Sequence, residues 1–358
     1  MNFDRRISRA VRVGDLTIGG GAKISIQSMT NTDTHDVIKT YDQIMRLREA
    51  GCDIVRLTAP DTESVKTFEK LKGMGVDIPL VADIHFDYKI AVMAAKSGAD
   101  KIRINPGNIG SRERVEAVVN ACRECRVPIR IGVNSGSLEK SILEKHGAPT
   151  GAALAESALY HASLLEGFDF YDTVISVKAS NVAAMLEANR ILAEKTDYPL
   201  HLGVTEAGGG ERALIKSSIG IGTLLAEGIG DTVRVSLTDD PVEEIYAAKD
   251  ILSCLSLTDD GGMDIVSCPT CGRTKIDLIR LLREFKTGAR ERGLDKMNIK
   301  VALMGCAVNG PGEAREADIG ACGGDGEGFI MANGKILRRV PEDRLVYELL
   351  CEIEKMKR

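Results

Sequence analysis

The sequence predicts an α/β protein in which a (β/α)8 barrel is followed by a smaller α+β domain. Short runs rich in β-branched residues recur over the first two thirds of the chain, and a segment with apolar residues at helical spacing follows each run. Most runs begin roughly 22–32 residues apart, which is the length of one strand–helix unit. After Thr238 this alternation ends and a different pattern begins.

Eight runs are interpreted as barrel strands. They are KISIQS (23–28), DIVRLT (53–58), PLVADIHF (79–86), KIRINP (101–106), PIRIGVN (128–134), TVISVKAS (173–180), HLGVTEAG (201–208) and TVRVSL (232–237). The one longer gap contains an additional helical stretch around 150–166. Alternating strands and helices form parallel sheets, and eight such units predict a closed barrel. An open doubly wound sheet is the alternative, but there a glycine-rich sequence follows the first strand, whereas here GGG precedes it.

The remaining residues predict a second folding unit. Its elements are a helix and DDGG linker within 239–262, a helix over 274–292, strands IKVALMG (299–305) and ADIGACGG (317–324), and a hairpin, GFIMANGKILRRV, turning at Asn333-Gly334. A final helix spans about 342–356, and its expected buried face carries Leu345, Leu349, Ile353 and Met356. We therefore expect a barrel domain over 1–258 and an α+β domain over 259–358.

Composition and charge argue against several classes of protein. The 358 residues include 47 basic and 52 acidic side chains, a net charge of −5, and nucleic-acid binding in general needs a basic face. The chain has no apolar stretch of about 18 residues that would span a membrane, and MNFDRRISRA has no apolar core of a secretion signal. In a reducing compartment the nine cysteines are not expected to form structural disulfides. We expect a cytoplasmic protein that binds neither nucleic acid nor membranes.

A candidate binding site follows from cations inside otherwise apolar strands, since the active sites of such barrels form at the C-terminal strand ends. These cations are Arg56, Arg103, Arg130, Lys178 and Arg234. Pairing of each cation with a carboxylate such as Asp83 or Glu206 is the alternative, but five cations exceed the available acids and repel one another. The crowding favours a site for a polyanion, and guanidinium groups bind phosphate oxygens in pairs. A small diphosphate fits this set of cations.

His85 is the histidine that ends a strand, in ADIHFD, with an acid two positions before it. A histidine held by structural hydrogen bonds is the common case. We interpret His85 as a substrate contact without a defined catalytic role.

Thiols mark a second candidate site. SCPTCGR (267–273) carries Cys268 and Cys271, MGCAVNGPGEA carries Cys306, and IGACGGDG carries Cys322. No histidine follows His201, so a zinc site would lack its usual second pair of ligands. The spacing favours an iron–sulfur cluster, with zinc or unmetallated thiols as the alternatives. A second C-x-x-C, at 122–125, is interpreted as the end of a helix and is not expected to bind a metal.

Long stretches of the chain carry a family resemblance. They are ISIQSMTNTDTHD (24–36), AGCDIVRL (50–57), VADIHFDYKIA (81–91), KIRINPGNIG (101–110), RIGVNSGSLEK (130–140), HLGVTEAGG (201–209), IGIGTLLAEGIGDTVRVSLT (219–238), SCPTCGRT (267–274) and GCAVNGPGEA (305–314). In order and nearly end to end, these stretches resemble the 4-hydroxy-3-methylbut-2-enyl diphosphate synthases of the non-mevalonate isoprenoid pathway.

The resemblance implies a barrel joined to a domain like the iron–sulfur half of sulfite reductases. It implies one 4Fe–4S cluster per chain, held by Cys268, Cys271, Cys306 and Glu313, whereas Cys322 matches no family ligand. The implied reaction is the two-electron reductive ring-opening and dehydroxylation of 2-C-methyl-D-erythritol 2,4-cyclodiphosphate to 4-hydroxy-3-methylbut-2-enyl diphosphate. Ferredoxin or flavodoxin would supply the electrons, and the family suggests a homodimer in which one chain's cluster closes the other chain's barrel.

Roles for the strand-end residues follow from this reaction. The cyclic diphosphate would lie among Arg56, Arg103, Arg130 and Lys178, with His85 in contact and Asn134 positioning it. Glu206 is the candidate for proton delivery, and Glu313 is a hard oxygen ligand that a substrate oxygen can displace from the cluster iron. The alternatives are a metal-independent or zinc-containing barrel transferase of pterin type, and an electron carrier or zinc-ribbon module, although a carrier needs no second pocket.

Overall fold

The structure is a computed structural model that describes residues 4–258, 260–306 and 316–357. The chain divides into two units, Met1–Leu257 and Thr258–Arg358. Each unit has a hydrophobic core of its own.

The first unit opens with an antiparallel hairpin that the sequence patterns do not predict. It is formed by β1 (Val11–Val13) and β2 (Leu16–Ile18). Strands of three residues are too short to display a periodicity. Val13 and Ile18 pack in one apolar cluster with Ile54 and Val81, at the start of two barrel strands. The hairpin therefore closes the N-terminal end of the barrel.

Eight parallel strands of the first unit form the barrel. They are β3 (Ser25–Met29), β4 (Ile54–Thr58), β5 (Leu80–Asp83), β6 (Lys101–Ile104), β7 (Ile129–Asn134), β8 (Thr173–Lys178), β9 (His201–Leu202) and β10 (Thr232–Val233). Their order is β8-β7-β6-β5-β4-β3-β10-β9. A parallel bridge between Ile175 and Leu200 joins the two edges. The predicted (β/α)8 barrel is confirmed, and the open-sheet alternative is excluded.

Helices cover the outside of this barrel. They are α1 (Val37–Glu49), α2 (Thr62–Gly73), α3 (Tyr88–Lys96), α4 (Pro106–Ile109), α5 (Arg112–Cys125), α6 (Lys140–His146), α7 (Gly151–Glu166), α8 (Val182–Lys195), α9 (Gly210–Ala226) and α10 (Pro241–Cys254). Several begin at an Asp, Asn or Thr whose side chain accepts a first-turn N–H, as Asp61 does from Ser64 at 2.9 Å. These caps lie at the C-terminal ends of the strands and so help to build the mouth of the barrel.

The second unit is a five-stranded sheet with two helices. Its strands are β11 (Asp264–Ser267), β12 (Lys300–Met304), β13 (Ile319–Gly323), β14 (Glu327–Ala332) and β15 (Lys335–Pro341), and its helices are α11 (Leu278–Glu291) and α12 (Leu345–Met356). The first three strands are parallel and the last two antiparallel. Asn333 (φ 49°) and Gly334 (φ 73°) make the predicted hairpin turn, because both adopt the left-handed conformation that such turns require.

Two details of the predicted second unit are wrong. The helix expected from 274 begins at Leu278, because Asp277 caps it by accepting the N–H of Arg280. Met356 is 39% exposed, whereas Leu350 is buried beside the predicted positions. Met356 is the last residue of α12, and a helix end that extends past its packing surface is left uncovered.

Candidate active site

Asp83, at the end of β5, joins cations from both neighbouring strands. Its carboxylate oxygens lie 3.0 Å from Arg103 Nη1 and 3.5 Å from Arg56 Nε. Burial by itself raises the pKa of Asp83, but the attraction of Arg56 and Arg103 outweighs it and holds that pKa well below its usual range. One carboxylate therefore faces two guanidinium groups, so the interior of the barrel keeps an excess of positive charge.

Arg130 adds to that excess, and Lys178 adds a further buried donor. Arg130 is 1% exposed and donates from Nη1 to Gln27 Oε1 at 3.0 Å, but its Nε has no acceptor among the described residues. Lys178 is 6% exposed, and its Nζ likewise has no hydrogen-bond partner within the described part of the chain. Burial and the neighbouring arginines lower the pKa of Lys178 well below its usual value. Buried donors without acceptors are costly, so this region is arranged to receive an anion.

Arg234 is paired with a carboxylate from a helix. Its Nη2 lies 3.3 Å from the Oε1 of Glu244, a residue of α10. Ser28 Oγ donates to the same carboxylate at 2.9 Å. Arg234, Arg56 and Arg103 are thus each paired with a carboxylate, whereas Arg130 and Lys178 have no such partner among the residues that the structure describes.

The other predicted barrel residues lie around the same strand ends. Asn134, at the end of β7, accepts a hydrogen bond from Arg103 Nη2 at 3.3 Å and donates to Val133 O at 3.2 Å once its amide is oriented to satisfy both neighbours. His85 follows β5 in an exposed loop, and its charge acts on Asp83. Glu206 is exposed and has φ 53°, a conformation that costs a non-glycine residue energy and is frequent at functional sites.

Two glycines make room for these cations. A Cβ added at Gly132 would lie 2.3 Å from Arg103 Nε. A Cβ added at Gly203 would lie 2.9 Å from Lys178 Nζ and 2.6 Å from Arg234 O. The sequence interpretation assigned neither residue, although a glycine inside a strand is a recognised sign of close approach by another group.

Two further interior residues were also missed. Lys101 begins β6 two positions before Arg103, and successive side chains of a strand alternate between its faces. The side chain of Lys101 therefore faces the barrel interior, as that of Arg103 does, while Ile102 and Ile104 belong to the core under the helices. His201 begins β9, and it is fully buried, as is Lys101. The two-residue period would have revealed Lys101, whereas nothing in the sequence around His201 marks it.

The predicted thiol site lies at one end of the small sheet. Ser267 of β11 is level with Leu303 of β12, so Cys268 and Cys306 follow neighbouring parallel strands. The N–H of Gly305 donates to Cys268 Sγ at 3.3 Å. The N–H and side chain of Arg273 lower the pKa of Cys271, while the charge of Cys306 opposes this shift. The three thiols thus belong to two adjoining loops, and the lowered pKa of Cys271 makes its metal-binding thiolate form easier to reach.

The turn between the first two thiols is tight. Thr270 has φ 62°, which is strained for a β-branched residue. Cys271 N–H donates to Thr274 Oγ1 at 3.0 Å, and Thr274 N–H donates to Cys271 O at 2.9 Å. Cys322, by contrast, is buried in the core with Sγ 3.7 Å from Met331 Sδ.

Glu313, the fourth expected cluster ligand, lies outside the described residues. Among the residues described, no three His, Cys, Asp or Glu side chains are arranged to hold a metal ion. The sulfur donors that the two loops present, Cys268, Cys271 and Cys306, are nevertheless of the type that iron–sulfur clusters use. The donor chemistry therefore fits such a cluster.

The fold and these sites define a class: two-domain (β/α)8-barrel proteins with a cationic barrel interior and a thiol-bearing C-terminal domain. Two family models match the chain, the GcpE TIM-barrel domain over 8–249 and the GcpE protein C-terminal domain over 264–355. The chain belongs to this family, whose curated members are enzymes named 4-hydroxy-3-methylbut-2-en-1-yl diphosphate synthase (flavodoxin).

Two of these relatives show how far the similarity extends. The chain is 58% identical to the protein of Clostridium perfringens, over 98% of this chain and 99% of the relative. It is 56% identical to that of Caldanaerobacter subterraneus, over 98% of each. The family resemblance expected from the sequence is confirmed.

Solved structures with less similar sequences share the barrel. Dihydropteroate synthase from Stenotrophomonas maltophilia superposes with a TM-score of 0.51 at 13% identity, covering 70% of this chain and 97% of that structure. At that identity the likeness concerns the fold alone. Separately, no helix in the described part of the chain is long and apolar enough to cross a membrane.

Proposed function

We propose that this chain catalyses the two-electron reductive ring-opening and dehydroxylation of 2-C-methyl-D-erythritol 2,4-cyclodiphosphate to 4-hydroxy-3-methylbut-2-enyl diphosphate, a step of isoprenoid precursor synthesis. The relatives are named for the synthesis of this product. The structural observation that carries the proposal is a pair of buried basic side chains: Arg130 Nε and Lys178 Nζ lack acceptors among the described residues. A diphosphate supplies the acceptor oxygens that these donors lack.

The barrel domain, 1–258, is assigned substrate binding. The diphosphate oxygens accept hydrogen bonds from Arg130 and Lys178, while Arg56 and Arg103 contribute charge that Asp83 offsets only in part. Asn134, already bonded to Arg103, orients the ligand, and His85 contacts it from the loop after β5. Glu206 holds the proton that passes to the oxygen departing as water.

The second domain, 259–358, is assigned one 4Fe–4S cluster, held by Cys268, Cys271, Cys306 and Glu313. The loops after β11 and β12 support this set because they place the three cysteines at one end of the sheet. When bound, such a cluster supplies electrons and a Lewis-acidic iron. The relatives' names favour flavodoxin over ferredoxin as the electron donor.

Oligomeric state and location belong to the same proposal. The candidate substrate residues and the candidate cluster ligands lie in different units of the chain. We propose a homodimer in which one chain's cluster domain serves its partner's barrel. We also propose a cytoplasmic location, because a reducing compartment keeps cysteine ligands in the thiol or thiolate form.

The test uses full-length protein purified without oxygen. We expect bound iron and turnover of the cyclodiphosphate with reduced flavodoxin. Lys178→Met should weaken ligand binding about 10- to 100-fold, the effect of losing one charge-assisted hydrogen bond. Lys195→Met, at the exposed C-terminal end of α8, is the matched control and should bind normally. Iron-free protein that still turns over, or Lys178→Met with unchanged affinity and rate, would contradict the proposal.

A further inference from the structure

We propose that binding of the cyclic diphosphate is coupled to the uptake of a proton by Lys101, a lysine on the floor of the barrel. This inference rests on the proposed function and extends it to a residue that has no assigned part in the reaction. The proton comes from the solvent, and the step breaks no covalent bond and moves no electrons. Lys101 therefore acts as a positioning residue, which adjusts the charge beneath the ligand.

The position of Lys101 is the first support for this proposal. Its side chain is 0% exposed, and its Nζ has no hydrogen-bond partner among the described residues. It faces inward two residues before Arg103, near the N-terminal end of the barrel. The β1–β2 hairpin covers that end with Val13 and Ile18. The amine is therefore enclosed, and it has no counterion in the part of the chain that the structure describes.

The groups around Lys101 are mainly cationic or neutral. Arg130 of β7 and Arg56 of β4 act on its charge, and Lys101 in turn acts on His201 of β9. His201 is also fully buried, with Nδ1 3.4 Å from Thr232 Oγ1 and with an Nε2 that has no hydrogen-bond partner among the described residues. Lys178 of β8 acts on the same histidine.

The carboxylate of β5 does not compensate for these charges. Asp83 is already engaged by Arg56 and Arg103. Before a ligand arrives, the floor therefore presents positive charge and unpaired nitrogen atoms.

Unlike the neighbouring arginines, a lysine in this setting can change its protonation state when a ligand binds. Desolvation, together with the charges of Arg130 and Arg56, lowers the pKa of Lys101 well below its usual value. A guanidinium group keeps its proton in proteins, whereas a buried ammonium gives its proton up readily. An anion bound above the floor reverses the local potential, favours the ammonium form and draws in a proton.

The cyclodiphosphate is a suitable probe because each of its phosphorus atoms carries one strongly acidic hydroxyl group. It therefore takes up no proton near neutral pH, and any proton taken up on binding enters the protein. Calorimetric titration of the oxidised holoenzyme without reductant prevents turnover. Buffers of different ionisation enthalpy then report the number of protons bound. We expect net uptake in the wild type and affinity that falls as the pH rises.

Lys101→Met identifies the group that takes up the proton. It should bind the ligand with a smaller proton uptake, although Lys178 retains a share because it too is buried and its Nζ has no partner in the described ranges. Lys70→Met removes an exposed lysine of α2 and should take up as many protons as the wild type. If Lys101→Met does not fold, Lys101→Gln replaces it, and the buffer dependence of the wild type tests the coupling without any variant.

The outcomes separate this inference from the proposed function. No heat of binding at any pH would overturn the proposed function. Binding whose heat is independent of the buffer would overturn the coupling and leave the function standing. Uptake that is unchanged in a folded Lys101 variant would exclude Lys101 as the site of protonation.

Discussion

The guanidinium group of Arg103 occupies space that a side chain at position 132 would need. Its Nε would be 2.3 Å from a Cβ added at Gly132, and its Nη2 would be 2.7 Å away. Arg103 is also tied to Asp83 and, through Nη2, to Asn134. At the scale of single residues, the candidate anion site thus depends on the absence of a side chain at Gly132 as much as on charged side chains.

Gly132→Ala should therefore displace Arg103 and weaken binding of the cyclodiphosphate. We expect roughly a tenfold or greater loss of affinity, since a guanidinium moved from its place loses a charge-assisted hydrogen bond. Calorimetric titration of the oxidised protein measures this loss. Gly136→Ala is the control, because its added Cβ meets no atom within 4 Å. Equal affinity in the two variants would show that the position of Arg103 does not matter for binding.

At the scale of elements, Asp83 links three neighbouring strands, because it is bonded to Arg56 of β4 and Arg103 of β6. The pKa of Asp83 lies below its usual range, so its ionised form stabilises the fold. For a depressed carboxyl pKa, that stability is fully present above the pKa of the unfolded chain, about 4. It is lost as the pH falls from there through the folded-state pKa.

Asp83→Asn should destabilise the barrel by about 3 kcal/mol at pH 7, because it leaves two buried cations without a counterion. The difference from wild type should shrink by about 1.4 kcal/mol for each pH unit below about pH 4. Urea unfolding followed at pH 7 and pH 3 measures both effects. Asp77→Asn removes an exposed partner of Arg48 and should change stability by less than about 1 kcal/mol. A destabilisation by Asp83→Asn that is as large at pH 3 as at pH 7 would contradict this account.

The loops after β11 and β12 form the other element-scale unit. Cys268→Ser should lose most of its bound iron, since serine replaces a soft thiolate with a hard hydroxyl group. Cys351→Ser, in α12, should retain iron because that thiol lies on a different element. Iron content and the visible absorption of anaerobically purified protein provide the measurement. Full iron loading in Cys268→Ser would remove this residue from the proposed ligand set.

At the scale of the whole molecule, the two candidate sites lie in two separate units. If one chain's cluster domain serves the partner's barrel, two different inactive chains should complement each other. Arg56→Ala impairs the barrel, and Cys268→Ser impairs the cluster domain. After subunit exchange about half of the dimers are mixed, and each mixed dimer holds one intact site, so about a quarter of the wild-type activity should return. A mixture as inactive as its components would argue against the shared site.

Much of the fold was readable from the sequence because strands and helices impose local periods of two and 3.6 residues. The eight strands of the barrel and the turn at Asn333-Gly334 appear where they were predicted, but β9 and β10 are two residues long and end earlier than predicted. The β1–β2 hairpin was not readable, since two three-residue strands carry too little pattern. The exposure of Met356 could also not be predicted, because helical spacing does not show where a packing surface ends.

The sequence by itself determined the barrel, the cations within its strands, the thiol-bearing second domain and the family to which the chain belongs. Only the tertiary structure decided which cations are paired. It joins Arg56 and Arg103 to Asp83, and it leaves Lys178 and Lys101 without acceptors among the described residues. The physical reason is that a side chain's period is encoded locally, whereas its partner and its desolvation depend on strands brought together from distant parts of the chain.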